Sequence, residues 1–304
     1  MEATYKMFDF PKNLEIGLQL SRLIDGWIDW IVINFDPLFR AINAGVLALL
    51  VPLEKLLMGE PLSAGWPQWL SMPWWLVIGV TVYIAWRTSG RNVAILTTVL
   101  YLLMATLGLF DFAMQTLAIT FTATLIAIAI GLPIGIFGAK SDKMDAISRP
   151  VLDAMQTMPS FVYLVPAIML FGLGKTPAVM ATVIYAIPPL IRLTNLGIRQ
   201  VDKEVVEAAI AFGSTSRQLL TKVQLPMAKP TIMAGVNQCI MMALAMVVIC
   251  SMIGAKGLGI EVMNGIARLE VGRGFLGGLG IVMMAIMIDR ITQSVGKARE
   301  SQVT

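Results

Sequence analysis

The chain has 304 residues, of which 57% are hydrophobic and 14% are charged, and its formal net charge is +4. Soluble domains carry about 25% charged residues, so this composition excludes an ordinary water-soluble enzyme and indicates a polytopic membrane protein. Histidine is absent and there are only two cysteines, Cys239 and Cys250. Zinc sites and histidine-based catalysis are therefore not expected.

The N-terminal region, residues 1–60, is predicted to be an extracytoplasmic, interfacial tail. Its start is acidic and has no apolar core of the signal-peptide kind, so no cleavable signal is expected. The stretch Trp27–Leu57 is interpreted as amphipathic helices at the membrane surface. Within it, Arg40 and Glu54 bracket only 13 residues, which is too few for a predicted span. A spanning role for 41–57 stays open.

Residues 61–304 are predicted to form the transmembrane domain, which makes the fold class all-α with about seven transmembrane helices. The apolar runs long enough to cross a bilayer are 70–86, 92–109, 113–138, 154–172, 176–195, 230–253 and 274–290. Within these runs, prolines at 159, 166, 188 and 189 predict interruptions of the helical ladder. The pairs Gly131/Gly135 and Gly274/Gly278 predict close approach of helices.

Loop charges orient these spans. With 196–229 placed in the cytoplasm, 14 basic residues lie on that side, whereas 4 lie on the other, which is the positive-inside bias. The cytoplasmic set is Arg87, Arg91, Lys140, Lys143, Arg149, Arg192, Arg199, Lys203, Arg217, Lys222, Lys229, Arg290, Lys297 and Arg299; the opposite set is Lys175, Lys256, Arg268 and Arg273. The prediction is a cytoplasmic C-terminus and a periplasmic N-terminus.

The most informative segment is the cytoplasmic loop 201–226. Asp202–Phe212 has helical periodicity with Val205, Val206, Ala209 and Phe212 grouped on one face. Gly213 is expected to end this helix with a left-handed cap.

A second short helix is predicted after that glycine. Thr215 followed three residues later by Gln218 is a capping-box pattern. Pro226 is expected to stop the second helix. Two short amphipathic helices of this kind are typical of a docking element.

The spacing within the loop resembles a known motif. Glu207-Ala208-Ala209, then three residues, Gly213, then nine residues and Val223-x-Leu225-Pro226 resembles the EAA loop of bacterial ABC importer permeases. The resemblance implies that the loop couples the membrane domain to a cytoplasmic ATPase, through Glu207, Ala208, Ala209, Gly213, Leu225 and Pro226.

Three further stretches, 150–174, 231–238 and 246–259, look like the glycine betaine/proline betaine branch of these permeases. The resemblance implies a type I ABC importer permease fold and ATP-driven import of glycine betaine or a related quaternary-ammonium osmoprotectant such as choline, carnitine or proline betaine. It also implies a cytoplasmic ATPase that binds ATP and magnesium, an extracytoplasmic substrate-binding protein, a permease homodimer, and location in the bacterial cytoplasmic (inner) membrane. No cofactor is expected in this chain, nor any nucleic-acid partner. The string Gly174-Lys175-Thr176 lacks the earlier glycine of a P-loop, since Met169 stands there.

Polar and soft side chains inside the spans are the candidates for a translocation pathway. They are Gln156, Met158, Ser160, Tyr163, Asn237, Gln238 and Met242. The alternative is that they serve interhelical hydrogen bonding and packing. At the level of the whole protein, a permease for another small solute, a secondary transporter and a channel are the rival interpretations.

Overall fold

In the computed structural model, residues 16–61 and 73–297 are described, and the regular structure in these ranges is helical. This confirms the predicted all-α fold. The helices are α1 Ile16–Asn34, α2 Asp36–Met58, α3 Trp74–Ser89, α4 Arg91–Thr106, α5 Phe110–Lys140, α6 Asp142–Thr157, α7 Leu164–Phe171, α8 Lys175–Arg199, α9 Lys203–Ala211, α10 Ser216–Gln218, α11 Leu225–Ile249, α12 Leu258–Ala267 and α13 Val271–Lys297. Ser160–Tyr163 and Cys250–Ile253 are 3₁₀ turns, and Leu219–Gln224 is π-helical.

Within the described ranges, five helical segments are long and apolar enough to cross a membrane, judged by length and composition. They are Asp36–Met58, Phe110–Lys140, Lys175–Arg199, Ser216–Ile253 and Val271–Gln293. A sixth is obtained if α6 and the bent segment after it count as one span. The predicted spans 70–86 and 92–109 correspond to α3 and α4, which have 16 residues each. The start of the first, 70–72, lies outside the described residues.

The centre of the molecule is the packing of α5, α8 and α11. Their contact surfaces are rich in alanine and glycine, which lets the helix backbones come close together. The glycine pair on α5 confirms the predicted close approach, because a Cβ at Gly135 would lie 2.6 Å from Thr194 Cβ. Pro188 and Pro189 do not interrupt α8, contrary to the prediction.

Of the second predicted glycine pair, Gly274 lies at a close helix contact and Gly278 does not. A Cβ at Gly278 would have no heavy atom within 4 Å, and one at Gly274 would make only ordinary contacts. The tight position is Gly265 on α12, where a Cβ would lie 2.4 Å from the Gly274 nitrogen. Gly265 of α12 and Gly274 of α13 therefore face each other, and Gly277 of α13, where a Cβ would lie 2.9 Å from the Val262 nitrogen, gives a second close contact between the two helices.

An ion pair reinforces this α12–α13 contact. Arg273 donates to Glu261 through Nε at 2.7 Å and Nη2 at 2.9 Å. The hydrogen bond from Arg273 is the main reason that the pKa of Glu261 is lowered, and it outweighs the effect of partial burial.

The length expected for the run at 41–57 is also wrong, since α2 has 23 residues. Glu54 does not end the helix at a water boundary, because its side chain is buried and Lys175 Nζ lies 2.6 Å from its Oε2. Val46 and Leu50 on the same helix are buried in the main apolar cluster. α2 is thus an integral part of the packed molecule.

The contacts of α2 also fix its direction. Asn43 accepts a hydrogen bond from Thr176, and Glu54 pairs with Lys175. Asn43 and Glu54 are 11 residues apart, about 16 Å along a helix, yet their partners are consecutive residues. α2 therefore crosses the N-terminal end of α8 instead of running beside it.

Candidate functional site

The first half of the loop 201–226 forms the predicted helix. Asp202 caps α9 by accepting a hydrogen bond from the Glu204 backbone nitrogen at 2.9 Å. At the other end Gly213 has a φ of 80°, and its N–H donates to the Ile210 carbonyl at 2.9 Å. A left-handed residue satisfies the last helical carbonyls without a Cβ penalty. The predicted glycine cap is confirmed.

The orientation of α9 differs from the sequence interpretation. Val206 packs against a small cluster formed by Ile198, Val201, Leu220 and Ala228, where α8 ends and α11 begins. Glu207 and Ala208 are exposed and Ala209 is half-buried. Phe212, which was grouped with Val206, is instead 92% exposed. The outward surface of α9 therefore carries acidic, small and aromatic side chains together.

The second half of the loop begins as predicted and ends differently. Thr215 and Gln218 form both hydrogen bonds of the capping box. Pro226 does not stop the helix, because the chain passes from the π-helical stretch directly into α11. The wider π turn gives the proline ring room against the preceding turn. Pro226 is exposed, whereas Leu225 packs against the cluster that holds Val206.

The predicted span 154–172 is not one straight helix. α6 ends at Thr157, and the segment Ser160–Phe171 leaves it at an angle of 108°. Met158 and Pro159 form the break, as expected for a residue that precedes a proline. Non-helical backbone at membrane depth is tolerated only where protein covers it or where it lines a water-filled cavity. The backbone at the break is therefore expected either to be covered by protein or to line a water-filled cavity.

The predicted pathway residues of this segment gather around the break. Gln156 and Met158 are exposed, and Ser160 is half-buried. Tyr163 is only 4% exposed, its hydroxyl donates to the Met155 carbonyl, and its ring lies 5.9 Å from that of Tyr185. Tyr163 thus bonds across the bend to a carbonyl in the last turn of α6.

The other three pathway candidates lie on α11. Asn237 Nδ2 donates to Asp289 Oδ1 at 3.1 Å, and its amide oxygen accepts a hydrogen bond from Thr292. Both partners are on α13, so the Asn237 side chain links two helices. Gln238 is exposed, and Met242 packs against the same apolar cluster as Tyr163. The interhelical role that was the alternative for these residues accounts for Asn237.

Sequence reasoning missed a polar network that joins α8 to the α5–α6 turn. Arg199 donates to the Gly138 carbonyl at 2.9 Å, to Asp142 at 2.7 Å and to Asn195 at 2.9 Å. Asn195 in turn donates to Asp145 at 2.6 Å. The four-residue spacing of Asn195 and Arg199 was a usable signal, but no local pattern points to partners 50 or more positions away.

The network continues along α6. Asp145 also pairs with Arg149, and Asp153 pairs with Arg192 of α8. These side chains line a cavity of about 350 Å³ between α6 and α8. The last turns of α8 lead directly into α9, so the network connects the loop to the helix that breaks at Met158.

Comparison with known proteins adds to this geometry. Residues 131–298 match the family described as binding-protein-dependent transport system inner membrane component. The chain is 48% identical over 283 residues to the glycine betaine/proline betaine transport system permease protein ProW of Escherichia coli K12, covering 92% of this chain and 77% of that protein. It is 43% identical over 285 residues to the glycine betaine transport system permease protein OpuAB of Bacillus subtilis 168, covering 94% and 97%.

Solved structures show the same fold at lower identity. An inward-facing structure of the MetNI methionine ABC transporter matches with a TM-score of 0.53 and 22% identity, over 62% of this chain and 93% of that chain. An amino acid ABC transporter crystallised with histidines matches with a TM-score of 0.53 and 22% identity, over 66% and 98%.

Proposed function

Since the chain belongs to the family of binding-protein-dependent transport system inner membrane components, we propose that it is the membrane-spanning permease subunit of an ABC importer for glycine betaine or a related quaternary-ammonium osmoprotectant. The observation that carries this is the identity of 43% to 48% with betaine-system permeases across more than nine-tenths of the chain. A permease for another small solute is the second candidate, and a secondary transporter is the third.

The substrate class rests on a gradient of similarity. A glycine betaine/carnitine permease of Listeria monocytogenes is 50% identical over 241 residues, whereas a choline system permease of Bacillus subtilis is 29% identical over 177 residues. The shared chemistry is a methylated ammonium group, which offers no N–H donor and is attracted to aromatic faces. Glycine betaine is therefore the first substrate to test.

In the proposed mechanism, ATP and magnesium are bound by a separate cytoplasmic ATPase subunit and this chain is not itself an enzyme. The ATPase contact is formed by α9 and the turn after it, with Glu207, Ala208 and Gly213 on the exposed side. Leu225, which packs inward, supports the loop from below. Movement of α9 passes to the end of α8 and, through Arg199, to α6. A two-state rearrangement at the break of α6 would then open the pathway to one side at a time.

The pathway is proposed to lie between two copies of the chain. Gln156, Met158 and Phe161 surround the break and are exposed in one copy. A broken helix at membrane depth needs protein or a water-filled cavity beside it, and a second permease would supply the facing wall. Affinity for substrate is assigned mainly to an extracytoplasmic binding protein.

The N-terminal region is proposed to lie on the extracytoplasmic side. α2 crosses the end of α8 that carries Lys175, which is the side opposite to the cytoplasmic loop. α1 has exposed apolar side chains at helical spacing, among them Leu23, Trp27 and Trp30, as expected for a helix in the membrane interface. Residues 1–60 would then be an extracytoplasmic region with a periplasmic N-terminus, in which α1 lies in the interface and α2 packs on the other helices, and the C-terminus would be cytoplasmic.

The test is reconstitution of the chain with its ATPase in proteoliposomes. We expect co-purification of an ATPase through a tag on the permease, and uptake of radiolabelled glycine betaine that requires the binding protein outside and ATP inside. A complex carrying a catalytically inactive ATPase is the matched control and should show no uptake. Uptake without any ATPase would identify a secondary transporter or channel and contradict the proposal. ATP-driven uptake of a different solute, with none of betaine, would support the second candidate.

A further inference from the structure

The turn between α7 and α8, residues 172–174, has little rigidity of its own. It follows the bent segment Ser160–Phe171, which leaves α6 at the break. Gly172 has a φ of 76° and Gly174 a φ of 125°, and the Leu173 side chain between them is 75% exposed. Glycine is conformationally permissive, and an exposed side chain adds no packing. The position of this turn must therefore be set by contacts from other parts of the chain.

One face of α2 supplies such contacts on both sides of the turn. The contacting pairs are Phe39 with Phe171, whose ring centroids are 5.6 Å apart, Asn43 with Thr176, and Glu54 with Lys175. Their spacing along α2 places the three side chains on the same side of the helix. The Gly174 nitrogen also donates to the Ile253 carbonyl at 3.1 Å. The turn is thus held by α2 on one side and by the end of α11 on the other.

The ion pair is the strongest of these contacts. Lys175 Nζ donates to both carboxylate oxygens of Glu54, at 2.8 and 2.6 Å. The Glu54 side chain is 10% exposed, and a buried carboxylate without a partner is strongly destabilising. Lys175 is the first residue of α8, where the positive end of the helix dipole disfavours a cation. Pairing removes both penalties, so α2 and the turn are expected to stay joined when the molecule changes shape.

We propose that Glu54 and Lys175 are positioning residues for transport, because their ion pair makes α2 a strut that fixes the far end of the bent segment. This assignment rests on the function proposed above and extends it to α2, a helix outside the residues 131–298 that match the family. With the far end fixed, a movement of α6 changes the angle at Met158 and Pro159. Without the strut, the bent segment moves as a whole and less of the movement reaches the pathway.

The first experiment measures transport by three variants in proteoliposomes that contain the full complex. The variants are Glu54→Gln, Lys175→Met and the exchange of Glu54→Lys with Lys175→Glu. Substitutions that disturb the coupling between distant sites change it by about 2- to 30-fold. We expect Glu54→Gln to lower both the maximal rate of glycine betaine uptake and the betaine moved per ATP by an amount in this range. The KM for the loaded binding protein should not change, because the strut does not contact that protein.

The other two variants test the pairing itself. Lys175→Met should lower both quantities further than Glu54→Gln does, because it leaves the buried carboxylate unpaired. The exchange should recover most of the loss, since it restores the pair and places an acidic residue at the start of α8. An exchange variant that melts like wild type and still transports like Glu54→Gln would refute the pairing as the cause.

Arg40→Gln is the matched control. It removes an ion pair within the same helix, that with Asp36, whose two side chains are 79% and 46% exposed. Exposed pairs contribute little, so this variant should transport like wild type. A purely structural role of Glu54 would lower the melting temperature and the amount of active complex but would leave the betaine moved per ATP unchanged. An unchanged ratio in Glu54→Gln would therefore overturn the proposal.

The second experiment measures the link directly in the purified permease. Nitroxide labels are attached to cysteines introduced at Leu38 of α2 and at Leu173, both exposed, after Cys239 and Cys250 are replaced by alanine. We expect a narrow distribution of label distances, which broadens when Glu54→Gln is added. The mean distance should stay the same in the full complex when ATP is trapped by an inactive ATPase. A change of about one helical turn, roughly 5 Å, would show that the pair opens and would refute the strut.

The two experiments separate this proposal from the proposed function. The label distances in the free permease require neither substrate nor ATPase, so they test the link between α2 and the turn by themselves. Absence of glycine betaine uptake by the wild-type complex would contradict the proposed function. A distance distribution that Glu54→Gln leaves unchanged would contradict the strut and leave the proposed function intact.

Discussion

Substitution of Gly135 by alanine should separate α5 from α8 and destabilise the protein. The added Cβ would lie 2.6 Å from Thr194 Cβ and 2.9 Å from the Ile191 carbonyl oxygen. Neither atom is the end of a flexible side chain, so the two helices must move apart. Overpacking of this kind costs about 1–3 kcal/mol. Alanine recovers about 1 kcal/mol of helix propensity relative to glycine, which leaves a net loss of up to about 2 kcal/mol.

The assay is thermal unfolding of the purified permease in one detergent, measured side by side for three variants. Gly278→Ala is the matched control, because it gives the same gain in propensity with no heavy atom within 4 Å of the new Cβ. Gly131→Ala is intermediate, since its Cβ would meet the side chains of Ile187 and Leu190 at 3.0 Å. At about 2–4 °C per kcal/mol for a chain of this size, Gly135→Ala should melt a few degrees below wild type. Gly278→Ala should melt at or slightly above it. Equal melting temperatures for Gly135→Ala and Gly278→Ala would refute the close packing of α5 on α8.

Three further predictions concern the break after α6, the ion pair of Glu261 with Arg273, and the loop 201–226. Tyr163→Phe removes the hydroxyl that donates to the Met155 carbonyl, and it should slow transport without weakening ATPase retention. An unchanged transport rate would show that the Tyr163 side chain serves packing only. The lowered pKa of Glu261 means that its pairing with Arg273 contributes fully above the ordinary glutamate pKa of about 4.3 and is lost as pH falls through the lower folded value. Glu261→Gln should therefore melt below wild type at pH 7 and approach it in acid, and a constant gap from pH 3 to 7 would argue against the pairing. Gly213 has a φ of 80°, and Gly213→Asp should leave the protein inserted in the membrane but uncouple ATP hydrolysis from uptake. Normal uptake by this variant would contradict the role of the loop in coupling.

Local chemistry made the loop 201–226 predictable. Asp202, Gly213 and the pair Thr215 and Gln218 act within a few residues of themselves, so their caps can be inferred from spacing alone. Pro226 was misjudged because the rule that a proline ends a helix assumes a normal α-turn before it, and here the preceding turn is π-helical.

Features that depend on distant partners were not predictable in the same way. The burial of the Glu54 carboxylate requires its ion pair with Lys175, which lies 121 residues further along the chain. No local sequence pattern predicts that pairing. In the same way, Gly265 has no room for a Cβ because Gly274 faces it from α13. The GxxxG spacing of Gly274 and Gly278 did not predict this, since no neighbouring helix comes within 4 Å of a Cβ at Gly278. The break near Pro159 was expected, but its angle of 108° depends on the packing of Tyr163 and its neighbours.

The uninterrupted helical segment Ser216–Ile253 has a mechanical consequence. Its 38 residues make a rod of about 55 Å at about 1.5 Å per residue, which exceeds the roughly 30 Å hydrocarbon core of a bilayer. A rod pivoting at one end by about 5° moves its other end by about 5 Å, which is close to one helical turn. A small rotation at the π-helical turn Leu219–Gln224, next to α9, would thus be amplified at Gly254, where the rod ends.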